Sequence, residues 1–325
     1  MKKLGKTMIK DLISVLMPTY NVEAYIEEAV NSILIQTYKK FELIIVDDFS
    51  TDKTYEILSQ ISRKDNRIRL FRNKTNQKIC KTLNFALKQA RGEFIARMDG
   101  DDVSCPERFE IMLDFLKNNQ EYSLIGSQVY TIDEFGNIIS KRRLLMSYGL
   151  IKFFSLFQSN ILHIWLARSD VYRELNGYRN MPYIEDYDFI LRAIQKGYKI
   201  KNLSRYLYKV RIRNGNTGST NGLKQNKAKI FIQNLYKNKA LLEKDAIILY
   251  EKAISIRKKE SNDFDEAYKH MICSLLEKKD LFKKLKEFLM AITNSYFIFR
   301  NIFISMLIKS VAFVEYILLK IKIKH

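Results

Sequence analysis

The residues best suited to chemistry are three aspartates around one glycine, Asp99-Gly100-Asp101-Asp102. A predicted buried strand, Phe94 to Met98, leads directly into them. Three carboxylates so close together repel one another unless a positive charge lies between them. Carboxylate oxygens beside a small residue suit a hard divalent ion such as Mg²⁺ or Mn²⁺, with positions left for phosphate oxygens. The alternative is an acidic surface turn in which Asp102 or Ser104 caps the next helix.

The elements that position this cluster alternate between strands and helices. Short apolar runs predict strands over residues 13–17, 41–46, 68–71 and 94–98. Pro18 is expected to end the first strand. Apolar residues at helical spacing predict helices over residues 22–36, from Thr51 or Asp52 to 62, over 82–90, and after Pro106. The alternation predicts βαβ units and an α/β fold with a mostly parallel, Rossmann-like sheet flanked by helices.

The second half of the chain is predicted to add further strands and helices. Strands are predicted over residues 122–129, 138–139 and 160–167, and helices over 146–157 and 185–194. The strand over 160–167 holds His163. A lone histidine in such a strand is more often structural, and contact with a ligand is the alternative.

Polar residues follow three of the predicted strands. They are Thr19-Tyr20-Asn21, Asp47-Asp48 and the acidic cluster after Met98. In a parallel sheet these ends share one edge, where a nucleotide is expected to bind. Neither G-x-G-x-x-G nor G-x-x-x-x-G-K-[ST] occurs in the sequence, so neither a dinucleotide fold nor a P-loop is indicated. Carboxylates could accept hydrogen bonds from a uracil N–H and ribose hydroxyls, and a metal could hold the diphosphate.

The composition narrows the compartment and the partners. The chain has 325 residues and a formal net charge of +20, which suits nucleic acid, anionic lipid or acidic small molecules. No nucleic-acid motif occurs, so a membrane surface is favoured over nucleic acid. The three scattered cysteines suit a reducing compartment, and the N-terminus lacks the pattern of a signal peptide. The sequence therefore predicts a cytoplasmic protein.

Several segments, taken in order, resemble glycosyltransferase family 2, the inverting enzymes that use nucleotide-sugar donors. They are Ser14-Val15-Leu16-Met17-Pro18-Thr19-Tyr20-Asn21, Ile45-Val46-Asp47-Asp48-Phe49-Ser50-Thr51-Asp52 and Ala96-Arg97-Met98-Asp99-Gly100-Asp101-Asp102. The last of these, with Pro106-Glu107-Arg108-Phe109, is similar to a subgroup that builds capsule and lipopolysaccharide sugars. The resemblance covers roughly residues 13–222. One departure is Lys78, in the segment Asn76 to Asn84, where the family usually has glycine. This substitution is expected to alter the local geometry of the loop that contains it.

The resemblance implies a nucleotide-diphospho-sugar transferase fold, a UDP-sugar donor and a divalent metal, Mn²⁺ or Mg²⁺. It places the metal on Asp101 and Asp99. The implied donor and nucleotide ligands are Pro18, Thr19, Tyr20, Asn21, Glu23, Asp48, Ser50, Arg97, Asp99, Arg211 and Arg213.

The predicted catalytic pair is Glu185-Asp186, which opens an amphipathic helix. Acidic residues in a first turn can simply stabilise the helix dipole. The resemblance instead places the catalytic base here, and Asp186 would take the proton of an acceptor hydroxyl as it attacks the anomeric carbon. Direct displacement would invert that centre. The Q-x-x-R-W signature of processive synthases is missing, which favours transfer of one sugar per encounter.

Two arginines, Arg211 and Arg213, precede a segment with three glycines, residues 214–222. Arginines can clamp phosphate, and a mobile loop can cover a bound donor. A lid and an ordinary surface loop both remain open.

The C-terminal region, residues 223–325, is predicted to be basic and helical, beside a catalytic domain over residues 1–222. Its last helix, 295–320, is rich in apolar and aromatic residues, but Arg300, Lys309 and Glu315 leave it short of the roughly 18 uncharged residues of a membrane span. Packing onto the catalytic domain is one interpretation. Peripheral attachment to the inner face of the cell membrane, where a lipid-linked acceptor would be met, is favoured.

The sequence therefore predicts transfer of one sugar from a nucleotide-diphosphate donor to a saccharide or lipid-linked acceptor, in the synthesis of surface polysaccharide. Two alternatives remain. A metal-dependent nucleotidyltransferase would also place acidic ligands on a parallel sheet, but would normally show a glycine-rich phosphate loop. A non-catalytic basic module would bind lipid or nucleic acid and turn over no sugar nucleotide.

Overall fold

The computed structural model describes residues 8–213, 221–238, 243–255, 266 and 296–323. The chain divides into two compact units. The first contains residues 1–155 and 159–214, and the second contains residues 156–158 and 215–325.

The first unit begins with alternating strands and helices. These are β1 Ile9–Thr19, α1 Ile26–Leu34, β2 Phe41–Asp47, α2 Thr54–Ser62, β3 Ile68–Arg72, α3 Lys78–Gln89 and β4 Gly92–Arg97. The remaining elements are β5 Val103–Ser104, α4 Arg108–Asn118, β6 Tyr122–Ile132, β7 Ile138–Arg142, α5 Tyr148–Phe154, β8 Leu166–Arg168, α6 Ser169–Glu174, α7 Glu185–Gln195 and β9 Lys199–Arg211.

One mixed sheet organises this unit, in the order β3-β2-β1-β4-β8-β6-β9-β5, with β7 beside β6. The first four strands are parallel, and Thr19 lies opposite Asp47, which in turn lies opposite Arg72. Every residue of β2 is buried, as expected for a central parallel strand covered on both faces. The parallel half confirms the predicted α/β fold and brings the polar strand ends to one edge.

Two predicted boundaries near this edge differ from those in the structure. Strand β1 continues through Pro18 and pairs with β2 from Ile13 to Thr19, so the expectation that Pro18 ends the strand is wrong. Helix α1 begins at Ile26, later than predicted, because the Val22 carbonyl accepts the amides of Tyr25 and Ile26 in a turn.

The predicted strand over residues 160–167 is largely wrong. Only Leu166 to Arg168 pair, as β8 between β4 and β6, and His163 lies in the irregular segment before them. Helix α3 begins at Lys78, four residues earlier than predicted. The predicted helix opening at Glu185 is confirmed as α7.

The second unit contains α8 Gly222–Asn238, α9 Glu243–Ala253 and α10 Tyr296–Ile323. The predicted final helix is confirmed as α10. Ile308 and Ala312 are buried, whereas the apolar side chains of Phe303, Met306, Leu307, Phe313 and Val314 are exposed. Within the described ranges, no helix combines the length and the hydropathy that crossing a membrane requires.

Candidate active site at the carboxyl edge of the sheet

The acidic turn follows β4 and packs against the end of β1. A Cβ added to Gly100 would lie 3.0 Å from the methyl carbon of Thr19 and 3.2 Å from Ile26 Cδ1. Glycine therefore lets the turn approach β1 closely. Asp102 is buried, and Asp99 and Asp101 are half-buried beside it.

The charges around Asp99 and Asp102 are unequal. Burial alone would raise the pKa of Asp99, but Arg97 and His163 outweigh it and hold that pKa well below its usual range. Burial and the negative charges of Asp101 and Asp99 instead raise the pKa of Asp102 to about 8. Asp102 is therefore protonated at neutral pH unless a nearby cation favours its ionised form.

Arg97 connects this turn to α7. Its guanidinium is buried and lies 3.1 Å from Asp99 Oδ1 through Nε and 3.1 Å from Glu185 Oε1 through Nη1. Burial raises the pKa of Glu185, with Arg97 acting against it. One cation therefore fixes the end of β4 against the start of α7.

His163 connects the same two regions by a second route. Its Nε2 is buried and lies 3.0 Å from Asp99 Oδ2, off the line of a hydrogen bond. Its Nδ1 lies 3.7 Å from Asp186 Oδ2. Burial lowers the pKa of His163, but Asp99 and Asp186 overcome this and raise it to about 10. His163 therefore links the acidic turn to α7, and its contact with a ligand stays a prediction.

Asp99, Asp102 and His163 could hold a cation, because one ligand atom from each lies within 4.8 Å of the others. Carboxylates suit Mn²⁺ or Mg²⁺, and His163 could join them only as a neutral imidazole, after it releases the proton that Asp99 and Asp186 stabilise. A cation at this position would also favour the ionised form of Asp102. The donor set therefore fits a divalent metal. Asp101, which the sequence assigned to the metal, instead pairs with Arg213 Nε at 2.8 Å. Its role as a ligand stays a prediction.

Arg211 has a different environment from the predicted phosphate clamp. Its guanidinium is buried and donates to the carbonyl oxygens of Asp101, Asp133 and Glu134 and to the carboxylate of Glu28. Its backbone amide donates to Asp102 Oδ1 at 2.8 Å. Arg211 thus supports the acidic turn, and its contact with the donor stays a prediction. The predicted lid lies largely in residues 214–220, outside the described residues.

Asp48 is buried after β2 and organises the loop that follows β3. Its Oδ1 accepts from Gln77 N and Asn73 Nδ2, and its Oδ2 accepts from Lys78 N. Lys78 adopts the left-handed conformation, with φ of 65°. The loop therefore takes a backbone that favours glycine, with lysine in its place.

The loops after β1 and β2 are bound to each other. The Asn21 amide donates to Ser50 Oγ at 3.1 Å, and the Thr51 amide donates to Asn21 Oδ1 at 2.9 Å. Glu23 Oε2 accepts the Lys53 amide at the start of α2. Asn21, Glu23 and Ser50, which the resemblance assigned to the donor, join β1 to α2, while Pro18 and Thr19 are buried beneath them.

Phe49 also has a left-handed backbone, with φ of 64°. Asparagine tolerates such angles, but a bulky side chain there costs about 1–3 kcal/mol. The guanidinium of Arg72 lies 5.6 Å from the Phe49 ring, a contact worth about 0.5–1 kcal/mol at an exposed site. The free energy of that contact is smaller than the cost of the strained backbone. The contact with Arg72 therefore does not explain why phenylalanine occupies this position.

Sequence reasoning also missed Arg108, although it lies in the quoted Pro106-Glu107-Arg108-Phe109 segment. Its buried Nη2 donates to the carbonyls of Arg97 at 2.9 Å and Ile164 at 2.6 Å. Arg108 thereby ties the end of β4 to the segment of His163.

Comparisons with known proteins identify the family to which this chain is similar. The family model described as glycosyl transferase family 2 matches residues 14–175. EpsE of Bacillus subtilis (strain 168) is 39% identical over 206 residues, which cover 61% of this chain and 72% of EpsE. The Escherichia coli O-antigen biosynthesis glycosyltransferase WbnJ is 32% identical over 215 residues, covering 64% of this chain and 83% of WbnJ.

Among solved structures, residues 1–349 of S. aureus TarS in complex with UDP-GlcNAc give a TM-score of 0.58 at 22% identity. The match covers 87% of this chain and 81% of that chain. At this identity the likeness concerns the fold, and it confirms the predicted nucleotide-sugar transferase architecture.

Proposed function

We propose a reaction for this chain from one premise: the chain belongs to glycosyltransferase family 2 and is a transferase. It moves one sugar from a nucleotide-diphosphate donor, a UDP-sugar, to an acceptor hydroxyl, with inversion. The observation that carries this proposal is the pair of links, through Arg97 and through His163, between the acidic turn and the Glu185-Asp186 pair.

The donor is proposed to bind at the edge formed by the ends of β1, β2 and β4. The structural neighbour TarS, solved with UDP-GlcNAc, supports a nucleotide sugar. A divalent metal held by Asp99, Asp102 and His163 would supply positive charge for the leaving diphosphate. One ligand atom from each of these three residues lies within 4.8 Å of the others, which supports such an ion.

Asp186 is proposed as the base. Burial would raise its pKa, but His163 lowers it, so the carboxylate is ionised and able to accept a proton. Glu185 acts by holding Arg97 in place. A base on one side of the anomeric carbon and a leaving group on the other give inversion in a single displacement.

The acceptor is proposed to be a saccharide or a lipid-linked saccharide of a surface polysaccharide. The name of WbnJ, an O-antigen biosynthesis glycosyltransferase, supports this class. We further propose that residues 1–222 form the catalytic domain and that the protein lies at the inner face of the cell membrane. The exposed apolar side chains of α10 and the net charge of +20 support membrane contact.

A panel of nucleotide sugars, each incubated with Mn²⁺ and with saccharide acceptors, tests the reaction. One donor should be consumed by the wild type, slowly by Asp186→Asn, and at the wild-type rate by Asp114→Asn, which changes an exposed aspartate of α4. Release of pyrophosphate from a nucleoside triphosphate and a sugar phosphate would instead identify a nucleotidyltransferase. Failure of every donor and acceptor pair would favour a non-catalytic module.

A further inference from the structure

Phe49 combines two features that seldom occur together. Its backbone has a φ of 64°, which bulky residues rarely adopt, and its side chain is 43% exposed. Strained residues persist where the surroundings fix them, and they cluster at ligand sites. Here the strain places an aromatic ring partly in solvent, where it fills no core.

The position of Phe49 relates this ring to the proposed donor edge. Phe49 lies two residues beyond β2, and Tyr20 lies one residue beyond β1, with a side chain that is 47% exposed. The Asp48 amide donates to the Thr19 carbonyl at 2.8 Å, and Thr51 donates to Asn21 at 2.9 Å. Two exposed aromatic residues are therefore carried by adjacent loops that hydrogen bonds hold together.

We propose that Phe49 is a positioning residue that contacts the nucleobase of the donor. An aromatic ring offers a flat apolar face, and nucleobases stack on such faces with little dependence on which base is present. A ring without charge or hydrogen-bonding groups does not suit the diphosphate. The inference rests on the proposed function, since it assumes a nucleotide at this edge.

The test separates the ring from the strain. In Phe49→Gly both are removed, in Phe49→Ala only the ring is lost, and in Phe49→Tyr the ring is kept. Because glycine relieves the strain, we expect Phe49→Gly to melt at or above the wild-type temperature. Because both lack the ring, we expect the two small variants, Phe49→Gly and Phe49→Ala, to bind UDP about ten-fold more weakly than the wild type. Phe49→Tyr should bind UDP like the wild type. Phe153→Ala, which removes another exposed aromatic ring, from α5, is the matched control.

Inorganic pyrophosphate is the second probe, titrated with Mn²⁺ present. Its affinity should be the same in the wild type, Phe49→Gly and Phe49→Ala, because the ring is proposed to contact the base alone. Unchanged UDP affinity in both small variants would overturn the inference. An equal loss of UDP and pyrophosphate binding would also overturn it, by showing that Phe49 shapes the loop.

The wild type separates this inference from the proposed function. If it binds neither UDP nor GDP, both proposals fail. If it binds a nucleoside diphosphate and the Phe49 variants bind it equally well, only the role of Phe49 fails.

Discussion

Arg97 and Glu185, 88 residues apart in sequence, form a buried ion pair with 3.1 Å between Nη1 and Oε1. The pair joins the last residue of β4 to the first residue of α7. It therefore sets the separation between the acidic turn and the proposed base. Neither residue needs to contact substrate for this geometry to matter.

Replacing Glu185 with glutamine should destabilise the protein. Breaking a buried ion pair costs about 3–5 kcal/mol, and we expect the lower end because Arg97 keeps Asp99 as a partner. Urea unfolding of the metal-free protein measures the change. Glu121→Gln, at an exposed position before β6, is the control and should unfold like the wild type. A Glu185→Gln variant of wild-type stability would contradict the importance of this pair.

Replacing Asp186 with asparagine should slow transfer by about two to four orders of magnitude, as expected for loss of a general base. Binding of the donor should persist, since Asp186 is proposed to act on the acceptor. Turnover and donor affinity should be measured separately, with Asp114→Asn as the control. Loss of donor binding by a folded variant would place Asp186 on the nucleotide instead.

The metal should depend on Asp102 and His163 as well as Asp99. We expect Asp102→Asn and His163→Gln each to weaken Mn²⁺ binding at least about ten-fold. Loss of a residue that only hydrogen-bonds to a metal ligand already costs about that much affinity. Electron paramagnetic resonance of free Mn²⁺ measures this without turnover. Asp101→Asn tests the assignment made from the sequence. Wild-type Mn²⁺ affinity in that variant would show that Asp101 is not a metal ligand.

The stability of the metal-free protein should fall as pH rises from about 6.5 to about 10. His163 has an ordinary pKa of 6.5 and a pKa of about 10 in the fold, so its stabilising charge is fully present below 6.5 and lost above 10. The pKa of Asp102 is raised to about 8, so this residue also makes the stability fall as the pH rises, up to about pH 8. Unfolding midpoints across this range should vary less in His163→Gln. Equal pH dependence in both proteins would contradict the charged contact.

The sequence identified the parts of the site that follow from local pattern. Apolar runs predicted β1, β2 and β4, and the rules for parallel sheets brought Thr19, Asp48 and Asp99 to one edge. The links made by His163 could not be predicted, because its partners, Asp99 and Asp186, are distant from it in sequence. The contacts of Arg211 also could not be predicted, because its guanidinium donates hydrogen bonds to backbone carbonyls of the turn between β6 and β7. The strain at Phe49 is a property of backbone angles that residue type does not disclose.

The last prediction concerns α10. Its exposed side chains include Phe303 at 63% and Phe313 at 51%, on a helix whose charged residues include Lys309 and Lys320. Apolar insertion and attraction to anionic lipid should both contribute to binding, with about 1 kcal/mol for each lysine near the surface. The protein should therefore sediment with phosphatidylglycerol vesicles, and less of it should do so at high salt because the electrostatic attraction is screened.

The double variant Phe303→Ser and Phe313→Ser removes the apolar part of this interaction and keeps every proposed catalytic residue. It should bind vesicles more weakly than the wild type at every salt concentration while consuming donor at the same rate. Ser310→Ala, which changes an exposed residue of the same helix, is the control and should bind like the wild type. Vesicle binding that is unchanged in the double variant would exclude insertion of these two side chains. Loss of the folded catalytic domain in that variant would show instead that α10 is part of the protein core.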